Sequence, residues 1–275
     1  MAADTDHAAS AGRKGGKKTV ERYDRTTRWF HAVVYVLVLV LLGTGWWLVA
    51  GQEGDPSPLA ALTGLPDTDL HKIAGWALGV VAVAGLVIGR RGVATFLRAS
   101  VRFRRTDLGW FARWPRAVFT GRFGHHDGHF DPGQRVLNIA LLVTLGTLVV
   151  SGAWLVLLHG GPVFAVLHRV HTWATYLATP LIAGHVLVAS GILPGYRGVW
   201  RSMHLGGRLD KGVARRLWPE WSRWDARCPP AALLGGHLLG SVDEEERAEL
   251  RRHLDGCARC RAELAGLRDV ARHLE

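Results

Sequence analysis

The chain has 275 residues, 48% of them hydrophobic, a mean hydropathy of only +0.10 and a formal charge of +11. These averages suggest a basic soluble protein, but the apolar residues are gathered into long runs with the charges between them, and distribution rather than average sets the class. No charged residue interrupts 29–52, 73–89, 136–168 or 170–196, a layout no ordinary globular core produces, and the cations sort by loop in a way that speaks for membrane topology and against nucleic acid as a partner.

The first 20 residues are rich in Ala, Gly, Ser and Lys without an apolar period, and are read as a disordered tail. Four apolar runs follow. A bilayer core of about 30 Å needs roughly 20 apolar residues of helix, and backbone polar groups in lipid must pair internally. Spans are therefore expected near 29–50, 71–89, 136–158 and 166–193. The first run is too long, and lacks a small-residue cleavage site, for a signal peptide. The second is the shortest and would need Lys72 and Arg90 to snorkel.

The loops differ in sign. Seven cations from Arg13 to Arg28 precede the first span, and 90–135 carries ten arginines. The 51–72 loop sets Glu53, Asp55, Asp67 and Asp69 against Lys72, and 159–169 has only Arg169. The positive-inside bias then puts both termini and the middle loop in the cytoplasm of a bacterial cell. Trp110, Phe111, Trp114 and Phe119 among the arginines suit an amphipathic segment on the inner leaflet or against a partner subunit, as do Trp200, Trp218, Trp221 and Trp224 in the basic stretch from Tyr196 to Arg227. The expected fold is all-α, a four-transmembrane-helix bundle over 21–225 followed by a small helical domain over 226–275, with no internal repeat visible.

Four histidines sit in or at the ends of the spans: His31, His71, His171 and His185. Ionisable residues inside spans mark function by default, and a bis-histidine haem b takes two imidazoles. Depth decides the pairing. His31 opens the first span on the cytoplasmic side, His71 opens the second on the other side, and the fourth span brings His171 in near the outer surface. His185, 14 residues on, is ~21 Å deeper and nearly on the same helix face. That pairs His71 with His171 and His31 with His185, two haems b stacked across the membrane. Gly43, Gly45, Gly75, Gly79, Gly152 and Gly184 would admit a flat macrocycle, and Arg28, Lys72 and Arg169 would face its propionates. His168 is an alternative to His171, and His159 is a weaker candidate. His125, His126 and His129 in the middle loop are a conceivable metal cluster, though a solvated loop reads better.

At this point the chain resembles the gamma, cytochrome b subunit of membrane-bound formate dehydrogenases over about 20–225. The resemblance is carried by Arg25-Thr-Thr-Arg-Trp-Phe-His31, Gly43-Thr-Gly45, Leu70-His71, Asp131-Pro-Gly-Gln-Arg135, His171 with His185, and Gly207-Arg-Leu-Asp-Lys-Gly-Val-Ala-Arg-Arg216. It implies partners in the membrane, an iron–sulfur subunit and a catalytic subunit, from which electrons enter the outer haem, cross to the inner one and reduce menaquinone bound near His185 and the turn of Asp131, Gly133 and Gln134. Asp131 departs from the Asn usual in that family and would also relay a proton. Nothing in the sequence offers a molybdenum, iron–sulfur or nucleotide site, so the chain is read as a non-catalytic electron-transfer subunit. The cytochrome b subunits of nickel–iron hydrogenase or thiosulfate reductase share the same logic.

The cysteines are Cys228, Cys257 and Cys260, on the reducing side of this topology, where metal is favoured over a disulfide. With His253 they offer one tetrahedral zinc site, with His237 as a rival to Cys228 for the first ligand. Ser241 to Glu244 reads as a capping box opening the helix that ends near His253. The pattern resembles the zinc-binding anti-sigma factor domain, which implies docking of a cytoplasmic protein partner, or a membrane-anchored regulator that releases its partner when the thiols are oxidised.

Overall fold

The computed structural model describes residues 19–51, 55–219, 221–222 and 231–272. Four long helices dominate: α1 (Arg25–Ala50), α3 (Asp67–Ile88), α6 (Pro132–Leu157) and α7 (Gly161–Ala189), all long and apolar enough to cross a membrane. Between and after them lie α2 (Pro58–Thr63), α4 (Arg90–Ser100), α5 (Asp107–Thr120), a 3-10 turn (Pro194–Tyr196), α8 (Trp200–His204) and α9 (Lys211–Leu217). The tail holds α10 (Ala231–Leu238), α11 (Glu244–Gly256) and α12 (Ala258–Arg272). A two-stranded antiparallel pair, β1 (Thr19–Glu21) with β2 (Arg208–Asp210), is added to the all-α plan.

Each long helix starts about one turn before its expected span, and for α1 and α6 a side-chain cap sets the start. Asp24 accepts from the Thr27 amide at 2.7 Å to open α1, and Asp131 accepts from Gln134 at 2.8 Å, with Pro132 in the first turn, to open α6. Asp67 opens α3 while bonding the Ser57 amide at 2.9 Å, which folds the acidic loop back on itself. The fourth helix stops at Ala189, short of the expected 193, because Gly191 turns the chain at φ +72° and Pro194 follows.

The long helices pair as two hairpins, α1 on α3 and α6 on α7, with α3 against α6 and α1 only lightly against α7. Apolar side chains face outward along their length: Val80 is 67% exposed and Trp173 69%. In water that surface would be untenable; in lipid it is the helix exterior.

On one end of the bundle sits a compact cap. Val20, Val118, Tyr196, Leu209, Ala214, Leu217, Trp218 and Trp221 form its core, drawn from β1, α5, the 3-10 turn, β2, α9 and the residues that follow α9. This corrects two expectations. Thr19 and Val20 belong to β1 and not to a disordered tail, residues 1–18 lying outside the described residues. Trp110, Trp218 and Trp221 are buried in the protein itself and are not spread on a leaflet. Phe119, at 66%, is the most exposed of these aromatics among the described residues, Phe111 and Trp200 are also exposed, and Trp224 lies outside the described residues. The reason is a pair of cations. The Arg22 guanidinium lies over the rings of Trp218 and Trp221, at 4.4 and 4.3 Å, and donates to the His129 carbonyl at 2.8 Å. Arg135 pairs with buried Asp107 at 3.0 Å and donates to the carbonyls of Phe130 and Arg102. These bonds gather the middle loop and the basic stretch over the end of α6.

In the tail, Leu234, Leu250 and Leu264 bring α10, α11 and α12 around one small core. The cap of α11 is Asp243, which accepts from the Glu246 amide at 2.8 Å. Ser241 instead donates to the Gly236 carbonyl, so the N-cap lies two residues after the Ser241 expected to open the capping box.

Candidate functional site

The two hairpins meet across histidines. His31 on α1 faces His185 on α7 with ring centres 6.2 Å apart, and His71 on α3 faces His171 on α7, also at 6.2 Å. An iron bonded to two imidazoles at ~2 Å each would put the ring centres about 6 Å apart. The spacing therefore fits a metal between the rings in both pairs, and is too wide for either pair to be hydrogen-bonded ring to ring. Both pairs use α7, whose two histidines, His171 and His185, are about four turns apart and point the same way. His168, weighed against His171, is exposed and stacks on Phe164 at 6.3 Å.

Around His71 and His171 the bundle leaves an apolar cavity of about 420 Å³, lined among others by Gly45, Gly75, Gly79, Gly152, Lys72 and His168. It lies in the size range of pockets that hold small organic cofactors. Its glycines are not alike. A Cβ on Gly45 would stand 3.2 Å from the His71 ring, and one on Gly152 would stand 3.2 Å from the His171 ring, so these two let the imidazoles lie against the helix backbone. At Gly75 a Cβ would find only Leu41, at 3.9 Å, and at Gly79 only Val149, at 3.8 Å, so there the absent side chain leaves room. An apolar cradle with two facing imidazoles fits a haem b, and the residues that would hold it are His71 and His171.

Two hydroxyls that sequence reasoning passed over complete the His71–His171 pair. Thr44 Oγ1 lies 2.9 Å from His71 Nδ1, and Ser151 Oγ lies 2.9 Å from His171 Nδ1. Each sits just before the glycine that its histidine rests on. The signal available in the sequence was this dipeptide, Thr44-Gly45 and Ser151-Gly152, on the helices that neighbour the histidine-bearing ones.

The turn expected to meet a quinone is largely taken up by the fold. Asp131 caps α6, and Gly133 lies under the Trp110 indole, where a Cβ would come within 2.8 Å. Gln134 has its side-chain oxygen buried without a hydrogen-bond partner among the described residues. Burial pushes the Asp131 carboxyl above the ordinary carboxylate range, opposed by the Gln134 amide and by the nearby His126, Arg135 and Arg22. The Tyr196 phenol, which accepts from the Trp114 indole at 3.0 Å, is likewise raised, by burial and then by Asp131.

The middle-loop histidines do not converge. His126 is buried and donates to the Leu217 carbonyl at 2.7 Å, His129 lies beside Arg22, and exposed His125 contacts Asp127 at 3.2 Å. They form no metal cluster among the described residues; His125 is solvated, and His126 is a rivet between the middle loop and α9.

In the tail, His253, Cys257 and Cys260 bring their ligand atoms within 4.8 Å of one another, with both cysteines buried and His253 Nε2 3.3 Å from Cys260 Sγ. That is three quarters of a tetrahedral zinc site. Cys228 lies outside the described residues. His237, at the end of α10, does not join the three; its Nδ1 is buried and without a partner among the described residues.

Comparison with known families matches residues 22–206 to the family described as prokaryotic cytochrome b561, and residues 231–261 to the one described as "Putative zinc-finger". No curated protein matches the chain.

Proposed function

The chain belongs to the prokaryotic cytochrome b561 family, and from that premise, which makes it a multi-pass membrane cytochrome b with haem b, we propose that it is the two-haem electron-transfer subunit linking a formate dehydrogenase-like complex to the quinone pool. The observation that carries this reading is the equal 6.2 Å spacing of His71–His171 and His31–His185 on a shared helix. Haem bound at the two pairs supplies reversible one-electron chemistry at two depths. Four imidazoles of this chain would hold it, with Lys72 at the cavity and Arg28, whose Nε is buried without a partner among the described residues, available to its propionates.

In this reading both termini and the cap are cytoplasmic, the His71–His171 pair lies toward the outside, and electrons delivered by an iron–sulfur partner leave beside His31–His185. A menaquinone there takes two electrons and two protons to become the quinol. Gln134 would accept a hydrogen bond from its hydroxyl, and Asp131, already the cap of α6, would hold that turn in place and pass a proton. Hydrogenase and thiosulfate reductase partners are served by the same scaffold, and co-purification of the partner complex separates the three.

The deciding measurement is a pyridine haemochrome assay on the purified chain. Two haems b per polypeptide are expected, with His171→Ala and His31→Ala each removing a different one. A chain without haem, or one that keeps both haems in each of the four His→Ala variants, sinks the reading.

A second reading is favoured by the cluster of His253, Cys257 and Cys260 in the zinc-finger match. Here the tail docks a cytoplasmic protein and lets it go when its thiols are oxidised and zinc is lost. Metal analysis of the full chain should give one zinc per polypeptide, lost in Cys257→Ser. A regulator of this kind would lose its function on deletion of 228–275 and keep it in His171→Ala; the electron carrier would do the reverse.

A further inference from the structure

The two histidine pairs have the same spacing and different surroundings. Thr44 is placed to accept and not to donate: its hydroxyl proton goes to the Val40 carbonyl at 2.8 Å, which leaves the oxygen free to take the proton of His71 Nδ1–H at 2.9 Å. Ser151 repeats the arrangement, donating to the Thr147 carbonyl at 2.6 Å and accepting from His171 Nδ1–H at 2.9 Å. Both rings are thereby fixed in the tautomer that carries the proton on Nδ1, and Nε2 is the nitrogen left for iron. Gly45 and Gly152 hold the same rings from the side, each 3.2 Å from the ring's Cε1 to where a Cβ would be. In the other pair, His31 Nδ1 is buried with no hydrogen-bond partner among the described residues.

A ligand imidazole whose N–H donates to an oxygen is more basic toward the metal, and a more basic ligand favours the oxidised iron. We infer that Thr44 and Ser151 are positioning residues that lower the reduction potential at the His71–His171 pair below that at the His31–His185 pair. This rests on the two-haem reading above. Under the topology proposed there, the lower potential lies on the donor side and the higher on the quinone side, so the hydrogen bonds give electron flow a direction that identical haems would lack. The hydroxyls touch neither iron nor substrate and act through the ligands.

The test is a spectroscopic redox titration of the haem-loaded full chain and of Thr44→Val, Ser151→Ala and Thr44→Ser, with His171→Ala identifying which of the two transitions belongs to this pair. Wild type should show two potentials, the lower one absent in His171→Ala. Thr44→Val and Ser151→Ala should each raise that lower potential, by up to about tenfold in the oxidised-to-reduced ratio or roughly 59 mV for one electron, and leave the upper one in place. Thr44→Ser keeps the hydroxyl and should keep the wild-type value. Unchanged potentials in Thr44→Val and Ser151→Ala, or an equal shift in Thr44→Ser, overturn the inference. Should Thr44→Val lose the haem, retention in Thr44→Ser supports a role for the hydroxyl and loss in both overturns it. A wild-type chain that binds two haems with the order of potentials reversed overturns this inference alone, whereas a chain that binds none, seen by haemochrome assay before any titration, overturns the two-haem reading with it.

Discussion

The cap and the bundle are built by opposite rules. In the cap, cations and aromatic rings close on one another until little is left to bind: Arg135 has Asp107 and the carbonyls of Phe130, Arg102 and Asp127, Arg22 has two indoles, and His126 has the Leu217 carbonyl. In the bundle the hairpins stand apart around about 420 Å³ of apolar space, with glycines where side chains would fill it and imidazoles facing across it. Protein interiors are normally close-packed, and an apolar void costs stability in proportion to its volume. A region that keeps such a void between the facing His71 and His171 is shaped by something other than its own packing, whereas the cap is shaped chiefly by its packing.

The strongest way to break this contrast is to fill the void. A Cβ at Gly75 would meet only Leu41, at 3.9 Å, and Gly75 lines the cavity, so the side chain of Gly75→Leu is expected to grow into that space, with a gain in helix propensity. If the void belongs to a macrocycle, Gly75→Leu should lose the haem of the His71–His171 pair almost completely while keeping the other haem and normal membrane insertion, as read by haemochrome assay. Full retention of both haems would mean that the cavity is not where the haem sits. In the cap the expected failure is of a different kind. Arg135 and Asp107 are 3% and 5% exposed, and Arg135→Met leaves the buried carboxylate unpaired. That should cost about 3–5 kcal/mol, seen as a lower melting temperature in detergent, with the haem spectrum before melting unchanged. An unaltered melting temperature would show that the ion pair does not hold the cap.

The same contrast explains what could be read from the sequence. The four spans were legible because charge-free runs are a direct consequence of lipid, and the histidine pairs because helical rise converts residue number into depth: 14 residues separate His171 from His185 whatever the packing. The cap was not, because its contacts join residues far apart in sequence. Arg22 to Trp218 and His126 to Leu217 leave no local period, and the aromatics among the arginines looked like a membrane surface for want of a visible partner. Thr44 and Ser151 were missed for a subtler reason: a hydroxyl in an apolar helix usually bonds its own backbone, as both do, and only the structure shows the second bond to a histidine on the next helix. At the Asp131 turn the motif was visible but its meaning was divided, since the cap and the indole contact account for Asp131 and Gly133 on architectural grounds.

Asp131 also gives the finest test of how complete the cap is. Its carboxyl is buried with its pKa raised, first by the loss of water, so the cationic neighbours Arg22 and Arg135 only partly offset desolvation. A group whose folded pKa lies above its unfolded value contributes stability that is fully present below the unfolded pKa and lost as pH rises through the folded one. Ionising Asp131 is thus a cost that appears as the pH rises through its raised pKa. Asn keeps an oxygen to accept from the Gln134 amide and carries no charge. Asp131→Asn should therefore melt slightly higher than wild type at pH 8, and the gap should close as the pH falls toward the ordinary carboxylate range, where both side chains are neutral. A variant that melts lower at pH 8 would mean that the two arginines hold the carboxylate as an ion, and that the cap pairs every charge it buries.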